Sequence, residues 1–336
     1  MRKRTWREKV CEKSQIPNAK SQANPKAQTP NASRAAPIEV CCLGFLWNLE
    51  LGSWDFVAIA MTRRGQILFF LPALLVFLVF VLLPSTQTLI DSFYSHQGIK
   101  HPFVGTLYYR YAVTDPKFHQ SLGNNLKYLL WTLLFEVAAG LALAVGLEKN
   151  TRFNNFLRVA FFSPAVLSMV VVGLVFGFLF KDGVGVLPGM LNEGRALLTI
   201  SVISGWASAG FFMVIFLAGL ANVPEDVLEA ARLDGASARQ TFWRIKLPLL
   251  KEVIYVALLI CFTGAFKAFD LFWVLLPNQD HTSIVSTLLV KEVIRFDNQG
   301  YGSTLAVILT ALVLLSVAII IGVKNLWHRR ERRGPL

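Results

Sequence analysis

Charge is scarce in this chain. Asp, Glu, Lys and Arg make up only 16% of its 336 residues, where an ordinary soluble domain has about a quarter. Hydrophobic residues reach 54% and mean hydropathy is +0.51, which excludes a plain soluble domain of this length. Cysteine is also sparse. Cys11, Cys41, Cys42 and Cys261 show neither metal-ligand spacing nor a disulfide framework. No stretch fits GxxxxGK[ST], so the chain is not expected to bind ATP itself. The five histidines (His96, His101, His119, His281, His328) fall in loops or tails, and none pairs at helical spacing. GxSxG, HExxH and paired-carboxylate patterns are missing too. An enzyme, a metal protein and a cofactor protein are therefore all poor descriptions.

Long apolar runs are what the chain does have. Six of them, Ile67 to Ile90, Leu126 to Leu147, Val159 to Phe180, Ala196 to Leu220, Leu249 to Leu276 and Thr304 to Val323, are each long enough to cross about 30 Å of hydrocarbon. The bilayer core offers no water to satisfy backbone groups, so each run is expected to be an α-helix. The fold class is all-α: a polytopic membrane protein with six transmembrane helices. Glu136, Lys251, Glu252, Lys267 and Asp270 interrupt the second and fifth runs. Lipid is thus one partner.

The formal net charge is +12. In a soluble protein that would suggest nucleic acid. Here the Lys and Arg residues lie mostly between or outside the apolar runs, so topology explains them and no nucleic-acid partner is expected. With the N-terminus inside, the inner segments carry 14 Lys and Arg and the outer segments 7. The positive-inside rule then puts both termini in the cytoplasm.

Three regions are expected. Residues 1–60 are rich in Lys, Arg, Asn, Gln, Ser and Pro up to Pro37 and lack the pattern of a signal peptide. They are read as a disordered, dispensable extension, either a cytoplasmic tail or sequence upstream of a start at Met61. Residues 61–326 form the six-span domain, and 327–336 a basic cytoplasmic tail. Three outer loops, His96 to Asn125, Lys181 to Arg195 and Pro277 to Gly302, are expected to connect spans and to face an external partner.

The longest polar interruption in the second half is Asn222 to Leu250, between the fourth and fifth runs. Asn222 or Val223 can cap a helix, with Pro224 in its first turn and Glu225 and Asp226 where acids favour the helix dipole. Gly235 stands where a left-handed residue ends a helix. Ser237 and Gln240 have capping-box spacing. The stretch reads as a short helix, a Gly hinge and a second short helix, with Pro248 turning the chain into the fifth run. Taken alone, Glu229 is an exposed helix carboxylate, and Ala230 and Ala231 are helix formers.

The pattern Glu229-Ala230-Ala231, three residues, Gly235, nine residues, Ile245-x-Leu247-Pro248 resembles the cytoplasmic EAA loop of the membrane subunits of binding-protein-dependent ABC importers. The resemblance implies a type I ABC importer permease fold in a bacterial inner membrane. It also implies that the loop at 222–248 docks in a groove of an ATP-binding subunit, with Glu229 engaging it. Ala230, Ala231 and Gly235 would pack closely there, and Ile245, Leu247 and Pro248 would complete the signature. The implied partners are a dimer of the ATP-binding subunit, a second permease subunit and an extracytoplasmic solute-binding protein. Ala265-Phe266-Lys267-Ala268-Phe269-Asp270 is similar to the region that follows this loop in sugar permeases. Tyr111 to Phe118, Asn124-Asn125, Phe161-Phe162-Ser163-Pro164 and Asp297 to Ser303 are similar to the first of the two usual carbohydrate permeases. Pro277-Asn278-Gln279-Asp280 stands where that family often has Gly-Gly-Gly-Pro.

Ionisable groups at membrane depth are functional candidates. Lys267 and Asp270 are three apart and are expected to share a helix face and pair. With Phe269 and Glu136 they are the candidate substrate pathway, the alternative being structural contacts. The function implied is ATP-driven import of a sugar, polyol or glycerol-phosphate-like solute. An ion-coupled secondary transporter using Glu136 or Asp270 is the rival.

Overall fold

The computed structural model describes residues 63–95, 102–181, 183–277 and 280–332. The extension at 1–60, His96, His101, Asn278, Gln279 and the end of the tail at 333–336 lie outside the described residues. The chain divides between Pro72 and Ala73, and every helix of the candidate site belongs to the second unit.

The described residues are overwhelmingly helical and contain no strand, only an isolated antiparallel bridge between Tyr94 and Phe103. Helices α1 (Arg63–Phe77) and α2 (Leu83–Asp91) carry the first span, joined by a π-helical turn. The loop between the first and second spans is itself helical. It contains α3 (Leu107–Thr114) and the start of α4 (Pro116–Thr132). Asp115 caps α4 by accepting from the Lys117 amide at 2.9 Å, with Pro116 just inside. His119, expected in a loop, lies in this first turn. The second span continues through a π-helical turn, Leu133–Ala138, into α5 (Ala139–Gly146).

The third run is not one straight helix. It is α6 (Arg152–Phe162), a 3-10 turn Ser163–Val166, and α7 (Met169–Leu179), and the two arms are bent by 92°. Pro164 has no amide to donate, and extended backbone at Leu167 and Ser168 redirects the chain. The fourth span is α8 (Ala196–Ala221). Its apolar window is 61% buried, against 0% for the first span, so α8 is the packing centre. Glycines let neighbours approach it. A Cβ at Gly205 would meet Phe135 Cβ at 2.3 Å, one at Gly219 would meet Leu250 Cδ2 at 2.7 Å, and one at Gly140 on α5 would meet Phe212 Cβ at 2.6 Å. Such small-residue contacts are how membrane helices pack without a hydrophobic driving force.

Loop helix α9 (Glu225–Leu233) follows, then α10 (Ala238–Thr241), a π-helical turn Phe242–Lys246, and α11 (Leu247–Leu249). The fifth span is α12 (Lys251–Lys267) and α13 (Asp270–Leu275). The loop between the fifth and sixth spans contains α14 (Val285–Phe296). The sixth span, α15 (Gln299–Arg332), runs on into the basic tail. In all, five helices among the described residues are long and apolar enough to cross a membrane, and the bent pair makes a sixth if counted as one.

Candidate coupling loop and membrane cavity

The loop between the fourth and fifth spans keeps most of its local grammar. Helix α9 begins at Glu225, with extended Pro224 at the N-cap rather than Asn222 or Val223. Glu225 and Asp226 occupy its first turn and Arg232 its last, both in the sense the helix dipole favours. Gly235 adopts φ 74°, the left-handed value that glycine takes at least cost. Ser237 Oγ accepts from the Gln240 amide at 3.3 Å, and Gln240 Oε1 accepts from the Ser237 amide at 2.8 Å. That is a complete capping box.

One part departs from the sequence reading. The second loop helix does not stop short. It passes through the π-helical turn into α11, and Pro248 sits inside α11 rather than turning the chain. Only the single residue Leu250 separates α11 from α12. Glu229, Ala230, Gly235 and Pro248 are exposed, Ile245 and Leu247 are half-buried, and Ala231 is buried. Leu233 is 89% and Trp243 58% exposed. Leu233, Trp243 and Glu229 are thus left uncovered among the described residues.

At the other end of α12 the fifth span breaks. Lys267 closes α12 and Asp270 opens α13, with non-helical backbone at Ala268 and Phe269. The expected Lys267–Asp270 pairing on one helix face does not form, because helical spacing is lost between them. The freed carbonyls are captured from other elements. Asn125 Nδ2 donates to Ala265 O at 3.2 Å, and Ser286 Oγ donates to Ala268 O. Asn125 Oδ1 also accepts from the Val285 amide at 2.9 Å, tying the break to α14.

The break opens onto a cavity of about 340 Å³ whose lining includes Glu136, Lys267, Phe269 and Asp270. The four candidate pathway residues therefore share one cavity. Glu136 lies in the π-helical turn of the second span and is 8% exposed. Ser204 Oγ donates to Glu136 Oε1 at 2.7 Å, and Tyr128 OH donates to Ser204 Oγ at 3.0 Å. The chain of donors holds the carboxyl from the fourth span. Phe162, Phe211, Phe212 and Phe272 add aromatic surface.

Sequence reasoning missed Ser204 and Tyr128, and named Phe162 only within a resemblance, not as a cavity residue. The signal was present for one of them: Ser201, Ser204 and Ser208 recur at helical spacing in an apolar run, the mark of a polar face turned inward.

The far end of the fifth span is stapled separately. Asn124 Nδ2 donates to His281 O at 2.8 Å and Ser283 O at 2.9 Å. The Lys291 ammonium, 4% exposed, pairs with Asp280 Oδ1 at 2.8 Å and also donates to Ser283 Oγ at 2.9 Å. That hydrogen bond holds the Asp280 carboxyl below the usual carboxylate range. Neighbouring Glu292 is pushed up, chiefly by burial.

Residues 136–332 match the family described as binding-protein-dependent transport system inner membrane component. The chain belongs to that family. It is a multi-pass inner-membrane protein of the ABC importer permease class. Among curated relatives, the probable ABC transporter permease protein YurN of Bacillus subtilis is 32% identical over 268 residues, 74% of this chain and 91% of its own length. The arabinooligosaccharides transport system permease protein AraP of Bacillus subtilis is 33% identical over 270 residues, 75% of this chain and 86% of its own. A bacterial ABC transporter involved in the import of the acidic polysaccharide alginate has the same fold. Its matching chain aligns with a TM-score of 0.68 and 19% identity, over 84% of this chain and 98% of its own. Membership of this permease family agrees with the all-α, multi-span architecture. The relatives are permease subunits, which are not themselves enzymes.

Proposed function

We propose that this permease serves an ATP-driven importer of a sugar or sugar-like solute, a polyol or a glycerol phosphate among them. It would pair with a second permease, two copies of an ATP-binding subunit and an extracytoplasmic binding protein. Both termini and the loop at 222–248 would face the cytoplasm. Glu229, with Ala230, Ala231 and Gly235, docks on the ATP-binding subunit. The cavity around Glu136, Lys267, Phe269 and Asp270 is part of the solute pathway.

One observation carries the reading. From Ala238 to Lys267 the chain is helical but for Leu250, so the exposed loop and the cavity wall are joined by a nearly continuous helical stretch. A displacement imposed on the loop is delivered at the cavity. The solute class is supported by the arabinooligosaccharide relative and by a cavity that combines aromatic faces with a carboxyl acceptor. ATP binding would close the ATP-binding dimer, move the docked loops and switch the cavity from inward-open to outward-open.

The test is co-purification. The tagged chain, expressed with its flanking genes and extracted in mild detergent, should bring down an ATP-binding subunit, and Glu229→Arg should release it. A stable single-chain transporter that retains no ATP-binding subunit would contradict the proposal.

A further inference from the structure

The cytoplasmic end holds an ion pair that the coupling reading does not use. Lys246 closes the π-helical turn of the loop, and its Nζ lies 2.7 Å from Glu148 Oε1 and 2.5 Å from Oε2. The side chains are 16% and 31% exposed. The two residues stand 98 positions apart, so the pair joins separate elements: the loop on one side, the connection between the second and third spans on the other.

That connection is itself held firmly by α6. Arg158 donates through Nε to Leu147 O at 3.1 Å and through Nη2 to Leu147 O at 2.6 Å and Glu148 O at 3.0 Å. Leu147 terminates α5, so its carbonyl lacks an intrahelical donor and the guanidinium supplies one. Asn154 Nδ2 donates to Lys149 O at 2.9 Å, and Asn155 Nδ2 donates to Asn150 Oδ1 at 2.9 Å. Residues 147–150 therefore move with α6. The far end of α6 is Phe162, which lines the cavity, as do Ala165 in the turn beyond it and Met169 at the start of α7.

We propose that the Glu148–Lys246 pair makes α6 a second arm of the coupling loop, with both residues positioning residues for transport. The inference rests on the reading that the loop at 222–248 docks on an ATP-binding subunit. Loop motion then reaches the cavity along two routes. One is the helical stretch α10–α12, ending at Lys267. The other runs through Lys246, Glu148 and α6, ending at Phe162. The cavity walls move together because both routes start at one turn. The 92° bend is what gives the second route its reach, since it turns α7 away and leaves α6 a short, separately anchored lever.

The experiment uses the whole transporter in proteoliposomes, with ATP hydrolysis and solute uptake measured side by side. Lys246→Met and Glu148→Gln should each lower the solute taken up per ATP hydrolysed roughly five- to tenfold while hydrolysis continues, the size of a typical coupling between sites. Reversing the pair, Glu148→Lys with Lys246→Glu, should recover most of that ratio, and Lys246→Arg should retain it. A merely structural pair would change protein yield and hydrolysis without this split. Wild-type ratios in both single variants, or a reversed pair no better than the singles, would overturn the second arm. Should the singles insert poorly, a Lys246→Arg ratio as low as that of Lys246→Met overturns it equally. Uptake by the unaltered transporter that ignores ATP would overturn the functional reading instead.

Discussion

Gly210 lies so close to Phe161 that a Cβ on the glycine would sit 2.0 Å from the Phe161 carbonyl oxygen and 2.6 Å from its carbonyl carbon. Both obstacles are backbone, so neither can swing aside. The contact seats the bent third span against α8 just before Phe162 reaches the cavity. Gly210→Ala is therefore expected to destabilise the fold by about 1–3 kcal/mol, the usual cost of overpacking. Gly322→Ala, where an added Cβ meets nothing within 4 Å, should cost nothing or stabilise slightly. Thermal unfolding of both variants in detergent checks the contrast.

Gly235 makes a different demand. Nothing lies within 4 Å of a Cβ there, so space is free and only the left-handed backbone is at stake. A β-branched residue at φ 74° is strained by about 1–2 kcal/mol, which an exposed turn can relieve by reshaping. Gly235→Val should thus insert normally and lose ATP-driven uptake, because α9 no longer meets α10 at the same angle. Gly235→Asn, which tolerates this conformation, should keep most of it. Membrane content by immunoblot beside uptake separates the two effects.

The loop was the most legible part of the chain because its determinants are local. Gly235, Ser237 and Gln240 act on neighbours within a few residues, and the structure keeps each of them. The spans were legible as apolar runs and little more. The bend was signalled by Ser163-Pro164 inside the third apolar run, but the run's length was read as one straight span. Lys267 and Asp270 were paired by assuming an unbroken helix. The break between them depends on Asn125 and Ser286, donors from distant elements that periodicity cannot reveal. Glu148 and Lys246 meet across 98 positions for a similar reason. Glu136 was visible as an acid in an apolar run, but its support by Ser204 and Tyr128 was not.

Removing the Glu136 carboxyl should be felt at the cavity. Glu136→Ala deletes the acceptor for Ser204 and any solute hydroxyl it meets. Uptake should fall about tenfold, in line with leaving a buried hydrogen-bond donor without its partner. Glu136→Gln keeps an acceptor and should recover part of that loss. Initial uptake rates across solute concentrations, with melting temperature as the control for folding, decide it.

The Lys291–Asp280 staple carries a pH signature. The folded-state pKa of Asp280 lies below its unfolded value, first through its hydrogen bond to Lys291. The unfolded chain then binds more protons in that window, so the pair's contribution is present above about pH 4 and lost as pH falls towards the folded value. Asp280→Asn also strands the Lys291 ammonium, which is 4% exposed. The variant should melt below wild type near neutral pH, and the gap should narrow in acid. A gap that widens as pH falls would refute the assignment.

The central claim is that the exposed loop receives the work of ATP and passes it to the cavity. The most direct measurement is solute uptake into proteoliposomes holding the permease with its ATP-binding and binding-protein partners. The account predicts uptake that requires both internal ATP and the external binding protein, and that Glu229→Arg abolishes without loss of inserted protein. Uptake that persists without ATP and follows an imposed proton or sodium gradient would contradict it.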